Sequence, residues 1–64
     1  GQGNEPVRGF QYRAEYLYSI GFTNDAIIQL EQALRSAKNN FYLSSQIENR
    51  IHQLQAELNA PKLL

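Results

Sequence analysis

Residues 21–33 read Gly21-Phe-Thr-Asn-Asp-Ala-Ile-Ile-Gln-Leu-Glu-Gln-Ala33. A glycine is typical of a helix end, and the polar run Thr23–Asp25 that follows it is typical of a helix start. Ala26, Leu30 and Ala33 are spaced by four and then three residues, so they share one helix face. Because two of these three residues are alanines, a neighbouring helix can approach closely. The stretch therefore predicts the second helix of a tight helical hairpin.

Composition limits the chain to one small domain. Sixty-four residues bury only about 60% of the surface that the unfolded chain exposes, so the core is expected to be thin. No cysteine is present to form a disulfide or help to hold a structural zinc. Six basic and six acidic residues cancel, which argues against nucleic acid as a partner, and the apolar runs are too short for membrane insertion.

Hydrophobic spacing along the rest of the chain predicts an all-α fold. We expect a helical domain over residues 6–59, with helices at about 6–20, 24–38 and 41–58. Residues 1–5 are expected to form a flexible lead-in, and residues 60–64 a frayed C-terminus. The first helix has a second apolar stripe, Tyr12, Tyr16 and Ile20, which is expected to meet a neighbour or to be exposed.

Two asparagines separate the second helix from the third. Asn39 and Asn40 are expected to end the second helix, since asparagine tolerates the left-handed conformation, and Asn40 can also cap the third. The third helix carries a single apolar stripe with a polar back, which is typical of a helix at the end of an array. That stripe consists of Leu43, Ile47, Ile51, Leu54 and Leu58.

The window from Val7 to Asn40 spans 34 residues and resembles one tetratricopeptide repeat. The positions that carry the resemblance are Phe10, Ala14, Leu17, Gly21, Ala26, Leu30 and Ala33. The chain departs from the repeat pattern at Arg13 and Lys38, and Glu48 falls where the next small residue should stand. The resemblance therefore implies a three-helix fold, with a tetratricopeptide-like antiparallel hairpin followed by a C-terminal capping helix.

In tetratricopeptide repeats the first helix lines a concave groove that takes a protein or peptide partner. The resemblance places six residues of this chain on the partner-binding face: Arg8, Gln11, Tyr12, Glu15, Tyr18 and Ser19. This set lacks the paired Lys and Asn residues of family members that clamp a terminal carboxylate. Neighbouring repeats of the same chain are the other partner that the resemblance implies.

Part of the sequence also resembles the C-terminal region of bacterial envelope zinc metallopeptidases, the family of the β-barrel assembly-enhancing protease. The similar segments are Ala14–Leu17, Asp25–Leu30 and Asn49–Gln55. This resemblance implies a non-catalytic segment in the periplasm that contacts the protease, its substrates or outer-membrane assembly machinery. No HExxH motif is present, so no catalytic residue can be carried over.

No constellation in the sequence predicts catalysis, a metal site or a cofactor. His52 is the only histidine, and with Glu48 four residues earlier it is interpreted as a solvated surface residue. The third helix could offer nucleic acid four polar residues, but with too little positive charge: Gln46, Asn49, Arg50 and Gln53. We therefore expect a protein–protein interaction module; the alternatives are a purely structural cap of a repeat array and, less favoured, a helical nucleic-acid-binding domain.

Six aromatic residues leave a further question open. Core packing is the favoured interpretation of the set, and a docking face is the alternative, nearly as good for Tyr12 and Tyr18. The set comprises Tyr12, Tyr16, Tyr18, Phe22, Phe41 and Tyr42.

Overall fold

The computed structural model describes residues 5–61, with side chains from residue 6 onward. Three helices, α1 (Glu5–Ser19), α2 (Thr23–Ser36) and α3 (Phe41–Asn59), account for nearly all of this range, which contains no strand. The all-α fold class is thus confirmed, and each helix end lies within two residues of its expected position. The expectations for residues 1–4 and 62–64 lie outside the described residues.

The central helix is α2, which packs extensively against α1 and less extensively against α3. Side-chain contacts join Glu15 to Arg50 and Tyr18 to Glu57, so α1 and α3 run in the same direction. The Cα atoms extend over 46 × 21 × 12 Å, with a radius of gyration of 12.4 Å. A compact chain of this length would have a radius of about 11 Å. The helices therefore form an elongated bundle.

The core lies along the two faces of α2 that meet its neighbours. Its largest fully buried side chains are Val7, Leu30, Ile47 and Leu54. Three alanines, Ala14, Ala26 and Ala33, are fully buried in the same cluster. Phe10, Leu17, Tyr18, Leu34 and Leu43 pack against it and are partly buried.

One hydrogen bond marks the close approach of α1 and α2. The Arg13 Nε donates to Gln29 Oε1 at 3.2 Å, and Gln29 lies between Ala26 and Ala33 on one face of α2. Ala26 and Ala33, the small residues on either side of Gln29, are those expected to let α1 and α2 approach closely. Leu58, expected on the buried stripe of α3, is instead 46% exposed, because it lies near the last turn of α3 beside the start of α2.

A glycine turn ends α1 as expected. Gly21 has φ +95°, the Phe22 N–H donates to the Leu17 carbonyl at 2.8 Å, and the Gly21 N–H donates to the Tyr18 carbonyl at 3.1 Å. This pair of bonds is the Schellman motif, in which a left-handed residue closes the helix. The expected side-chain cap by Thr23–Asp25 is wrong: Phe22 occupies the N-cap of α2, and no side chain caps there. The Phe22 carbonyl already accepts the first bond of α2, from the Ala26 N–H at 2.9 Å, so the helix begins at Thr23.

The second turn differs from the expected one at its start. The C-cap of α2 is Ala37, with φ −98°, and no non-glycine residue of the described range has a positive φ, so the left-handed asparagine cap is wrong. The Ala37 carbonyl is satisfied by the Asn40 N–H and the Ser44 hydroxyl instead. Asn40 does cap α3, accepting from the Leu43 N–H at 3.0 Å, as expected.

Candidate protein-interaction site

Five of the six residues expected on the partner-binding face lie along the seam between α1 and α3. On α1 they recur at positions 8, 11, 15 and 18, with Tyr12 beside them, and on α3 they face positions 43, 46, 50 and 57. The α1 positions are separated by three, four and three residues and the α3 positions by three, four and seven, so each set lies along one face of its helix. The seam is thus a groove whose two walls are parallel helices.

An ion pair closes the middle of the seam. Arg50 Nη2 donates to Glu15 Oε1 at 2.8 Å and Arg50 Nε to Glu15 Oε2 at 2.9 Å, a two-pronged geometry that fixes both side chains. The hydrogen bond from Arg50 lowers the pKa of Glu15, and the same bond raises the pKa of Arg50. Since both side chains keep contact with solvent, the pair acts more as a positioning link than as a large source of stability.

The ring and hydroxyl of Tyr18 extend this link toward the end of α3. The Arg50 guanidinium lies 4.9 Å from the centroid of the Tyr18 ring, and the Tyr18 hydroxyl donates to Glu57 Oε1 at 2.7 Å. The hydrogen bond to Glu57 raises the pKa of Tyr18, because loss of the proton would set two negative oxygens against each other. The link therefore runs Glu15, Arg50, Tyr18, Glu57, and it occupies this half of the seam.

The other half of the seam is open. A surface depression of about 240 Å³ lies there, lined by Arg8, Gln11, Tyr12, Leu43 and Gln46. Its lining combines one cation, two amides, an aromatic ring and an aliphatic side chain, so it can take both polar and apolar groups. The α3 residues that complete this site were not expected from the sequence. Their spacing of 43, 46, 50 and 57 was a usable signal, but the register of α3 against α1 was not known.

Ser19, the sixth residue expected on this face, makes a hydrogen bond within α1. Its hydroxyl donates to the Tyr16 carbonyl at 2.7 Å, within its own helix. Its place on the partner-binding face stays a prediction.

Most of the aromatic residues are exposed, so the favoured interpretation of them as core is wrong. Only Tyr18 of the six packs against the core. Tyr12, Tyr16, Phe22, Phe41 and Tyr42 are between 55% and 86% exposed. The core is filled by aliphatic and alanine side chains between the helices, and these five rings lie on the outward sides of the chain.

The structure also bears on three functions other than peptide binding: metal binding, membrane insertion and nucleic-acid binding. His52 is exposed on α3, and residues 5–61 contain no group of three or more His, Cys, Asp or Glu side chains placed to hold a metal ion. Within the same range no helix is both long and apolar enough to cross a bilayer. Arg50, one of the residues considered for nucleic acid, is engaged by Glu15.

Comparison of the chain with known protein families, with curated proteins and with solved structures gives no match.

Proposed function

We propose that this domain is a non-catalytic protein–protein interaction module that binds an extended peptide segment along the α1–α3 seam. The observation that carries the proposal is the open depression at one end of the seam. Three of its five lining residues, Arg8, Gln11 and Tyr12, belong to the face expected to bind a partner. Two parallel helices flanking a groove of mixed polarity support binding of a short segment rather than of a small apolar ligand.

The kind of segment follows from the lining. Arg8 supplies a positive charge at the depression, and Leu43 supplies an aliphatic wall opposite Tyr12. A segment that places an acidic residue next to an aliphatic one matches both features. Such a small site gives weak binding, because most of the interaction free energy is offset by ordering of the peptide.

A peptide titration followed by amide NMR tests the proposal. The probes are an acetylated, amidated pentapeptide with adjacent Asp and Leu residues and the same peptide with Lys in place of Asp. We expect the acidic peptide to shift amides of residues 8–12 and 43–46, and Arg8→Gln to weaken binding at least threefold. Arg35→Gln is the matched control, because it removes the same charge from an exposed position on α2. Equal effects of the two substitutions, or shifts elsewhere only, would contradict a site at the seam.

A purely structural role is the second candidate function. The link from Glu15 to Glu57 favours it, because these contacts hold α3 over the face that a longer groove would need. In that case α3 caps the hairpin, and neither peptide shifts any amide of the seam.

The tetratricopeptide relationship and the envelope metallopeptidase parent stay predictions from sequence resemblance. The parallel α1 and α3 and the buried alanines between α1 and α2 are compatible with a tetratricopeptide-like hairpin followed by a capping helix. If the parent is such a metallopeptidase, this segment contributes binding of partners and not peptide hydrolysis.

A further inference from the structure

Two further surfaces, an apolar ridge and a groove of mixed polarity, face away from each other, and the ridge shares only Tyr12 with the seam depression. We call the first the α1 ridge; it consists of Tyr12, Tyr16 and Ile20, which are 69%, 64% and 48% exposed. We call the second the α2–α3 groove, a depression of about 350 Å³. Its lining residues are Asn24, Ile27, Ile28, Glu31, Gln55, Leu58 and Asn59.

The opposite orientation follows from helix geometry. Successive residues of an α-helix are rotated by about 100°, so residues two apart point about 160° away from each other. Tyr12 and Tyr16 each lie two residues from Ala14, which is buried in the core. Ile28 lies two residues from Ala26, which is also buried in the core. The ridge therefore looks outward from α1, and the groove looks outward from the far side of α2.

The ridge and the groove match in size. From Tyr12 to Ile20 the ridge extends over eight residues, or about 12 Å of helix. From Asn24 to Glu31 the α2 wall of the groove extends over seven residues, or about 10 Å. One surface is convex and the other concave, which is the shape relation by which helices pack, ridges into grooves.

The charges at their edges are complementary as well. Arg8 and Arg13 lie on either side of the ridge, and the negative charge of Glu15 beside it is offset by Arg50, whereas Glu31 is the charged residue of the groove lining. Because the chain has a net charge of zero, copies of it do not repel one another as wholes. Charge and shape thus favour another copy of this chain over a strongly acidic or basic partner.

We propose that copies of this domain associate head to tail, with the α1 ridge of one copy seated in the α2–α3 groove of the next. Such a contact joins two different surfaces, so each copy keeps one free ridge or one free groove and the assembly does not close at two copies. Each surface is smaller than the roughly 800 Å² per partner of a standard interface, so association is weak and requires high concentration. This inference shares Tyr12 and the nearby Arg8 with the seam depression, but the variants that test it, at Tyr16 and Ile28, lie outside the peptide site.

Sedimentation equilibrium of the full chain, up to about 1 mM, tests the inference. For the unmodified chain we expect the average mass to rise above 7.3 kDa with concentration and to pass twice that value without a plateau. Tyr16→Glu disables the ridge and Ile28→Glu disables the groove, each at an exposed position that the core does not need. Each variant alone should be monomeric. An equimolar mixture should form a 1:1 dimer and nothing larger, because one intact ridge and one intact groove remain.

Three results would overturn head-to-tail association. The first is an unmodified chain that stays monomeric at the highest concentration. The second is an equimolar mixture of the two variants that does not associate. The third is loss of association in Tyr16→Glu but not in Ile28→Glu, which would indicate that ridges pair with ridges in a closed dimer. Tyr42→Glu is the matched control, since Tyr42 is an exposed tyrosine on neither surface, and it should associate like the unmodified chain.

Discussion

Replacement of Ala33 by leucine tests the tight contact between α1 and α2. Ala33 is fully buried and lies one helical turn from Gln29, whose side chain accepts the Arg13 hydrogen bond that joins the two helices. Leucine adds three carbon atoms where no space is open, so α1 must move or side chains must leave their preferred rotamers. Such overpacking costs about 1–3 kcal/mol of the free energy of unfolding.

That cost is large for a chain of this length. At the usual 0.05–0.15 kcal/mol per residue, 64 residues have about 3–10 kcal/mol of total stability. A loss of 2 kcal/mol lowers the melting temperature by about 8–16 °C in a domain of this size. Urea unfolding monitored by circular dichroism at 222 nm measures the change directly, provided that the slope with urea concentration is unchanged.

The matched control is the same substitution at an exposed alanine. Ala56 lies within α3 and is exposed, so Ala56→Leu should change the free energy of unfolding by less than about 0.5 kcal/mol. If Ala33→Leu and Ala56→Leu differ by less than about 0.5 kcal/mol, Ala33 does not lie at a close helix contact. The account of why alanines stand in this part of the sequence would then be wrong.

Three further perturbations address the seam and the helix ends. A double-mutant cycle of Glu15→Gln and Arg50→Gln should give a coupling of about 0.3–1 kcal/mol in urea melts. Because the pKa of Glu15 is lowered in the folded protein, the stability that the ion pair contributes is complete above the ordinary carboxyl pKa and is lost as pH falls through the lowered value. Urea melts from pH 7 to pH 3 should show this loss of stability only in chains that retain Glu15. Gly21→Ala should cost about 1–2 kcal/mol through backbone strain alone, as no atom lies within 4 Å of the added Cβ. Gly9→Ala, in the interior of α1, should instead stabilise the domain by about 0.5–1 kcal/mol. Equal effects of the two substitutions in thermal melts would argue against the left-handed turn at Gly21. Asn40→Ala should cost about 1 kcal/mol by removing the cap of α3, and a melt that matches the unmodified chain would indicate that water replaces the cap.

Helix positions could be predicted from the sequence because they depend on local spacing. Ala26, Leu30 and Ala33 share a face whatever they contact, and the structure buries all three. Gly21 was predictable for the same reason, since only glycine adopts φ +95° without strain.

The features that the sequence did not predict depend on small free-energy differences or on distant contacts. The start of α2 at Thr23, directly after the Schellman turn, has no side-chain cap, and such a cap is worth only about 1 kcal/mol. The Arg50–Glu15 pair joins residues 35 positions apart, so it depends on the register of α3 against α1. The packing of both helices on α2 brings these residues together, and local spacing does not report it.

The arrangement of the helices has a consequence for how the domain opens. Within the described residues, helix α2 packs on both other helices and more extensively on α1 than on α3, whereas α1 and α3 meet chiefly through the side chains of Glu15, Tyr18, Arg50 and Glu57. Helix α3 can therefore separate from α2 while the α1–α2 hairpin stays intact, as a cooperative unit of lower stability. In amide hydrogen exchange, the protons of α3 would exchange earlier than those around Ala14 and Ala33. The domain thus has a stable pair of helices and a third helix whose attachment can be adjusted by changing a few polar side chains.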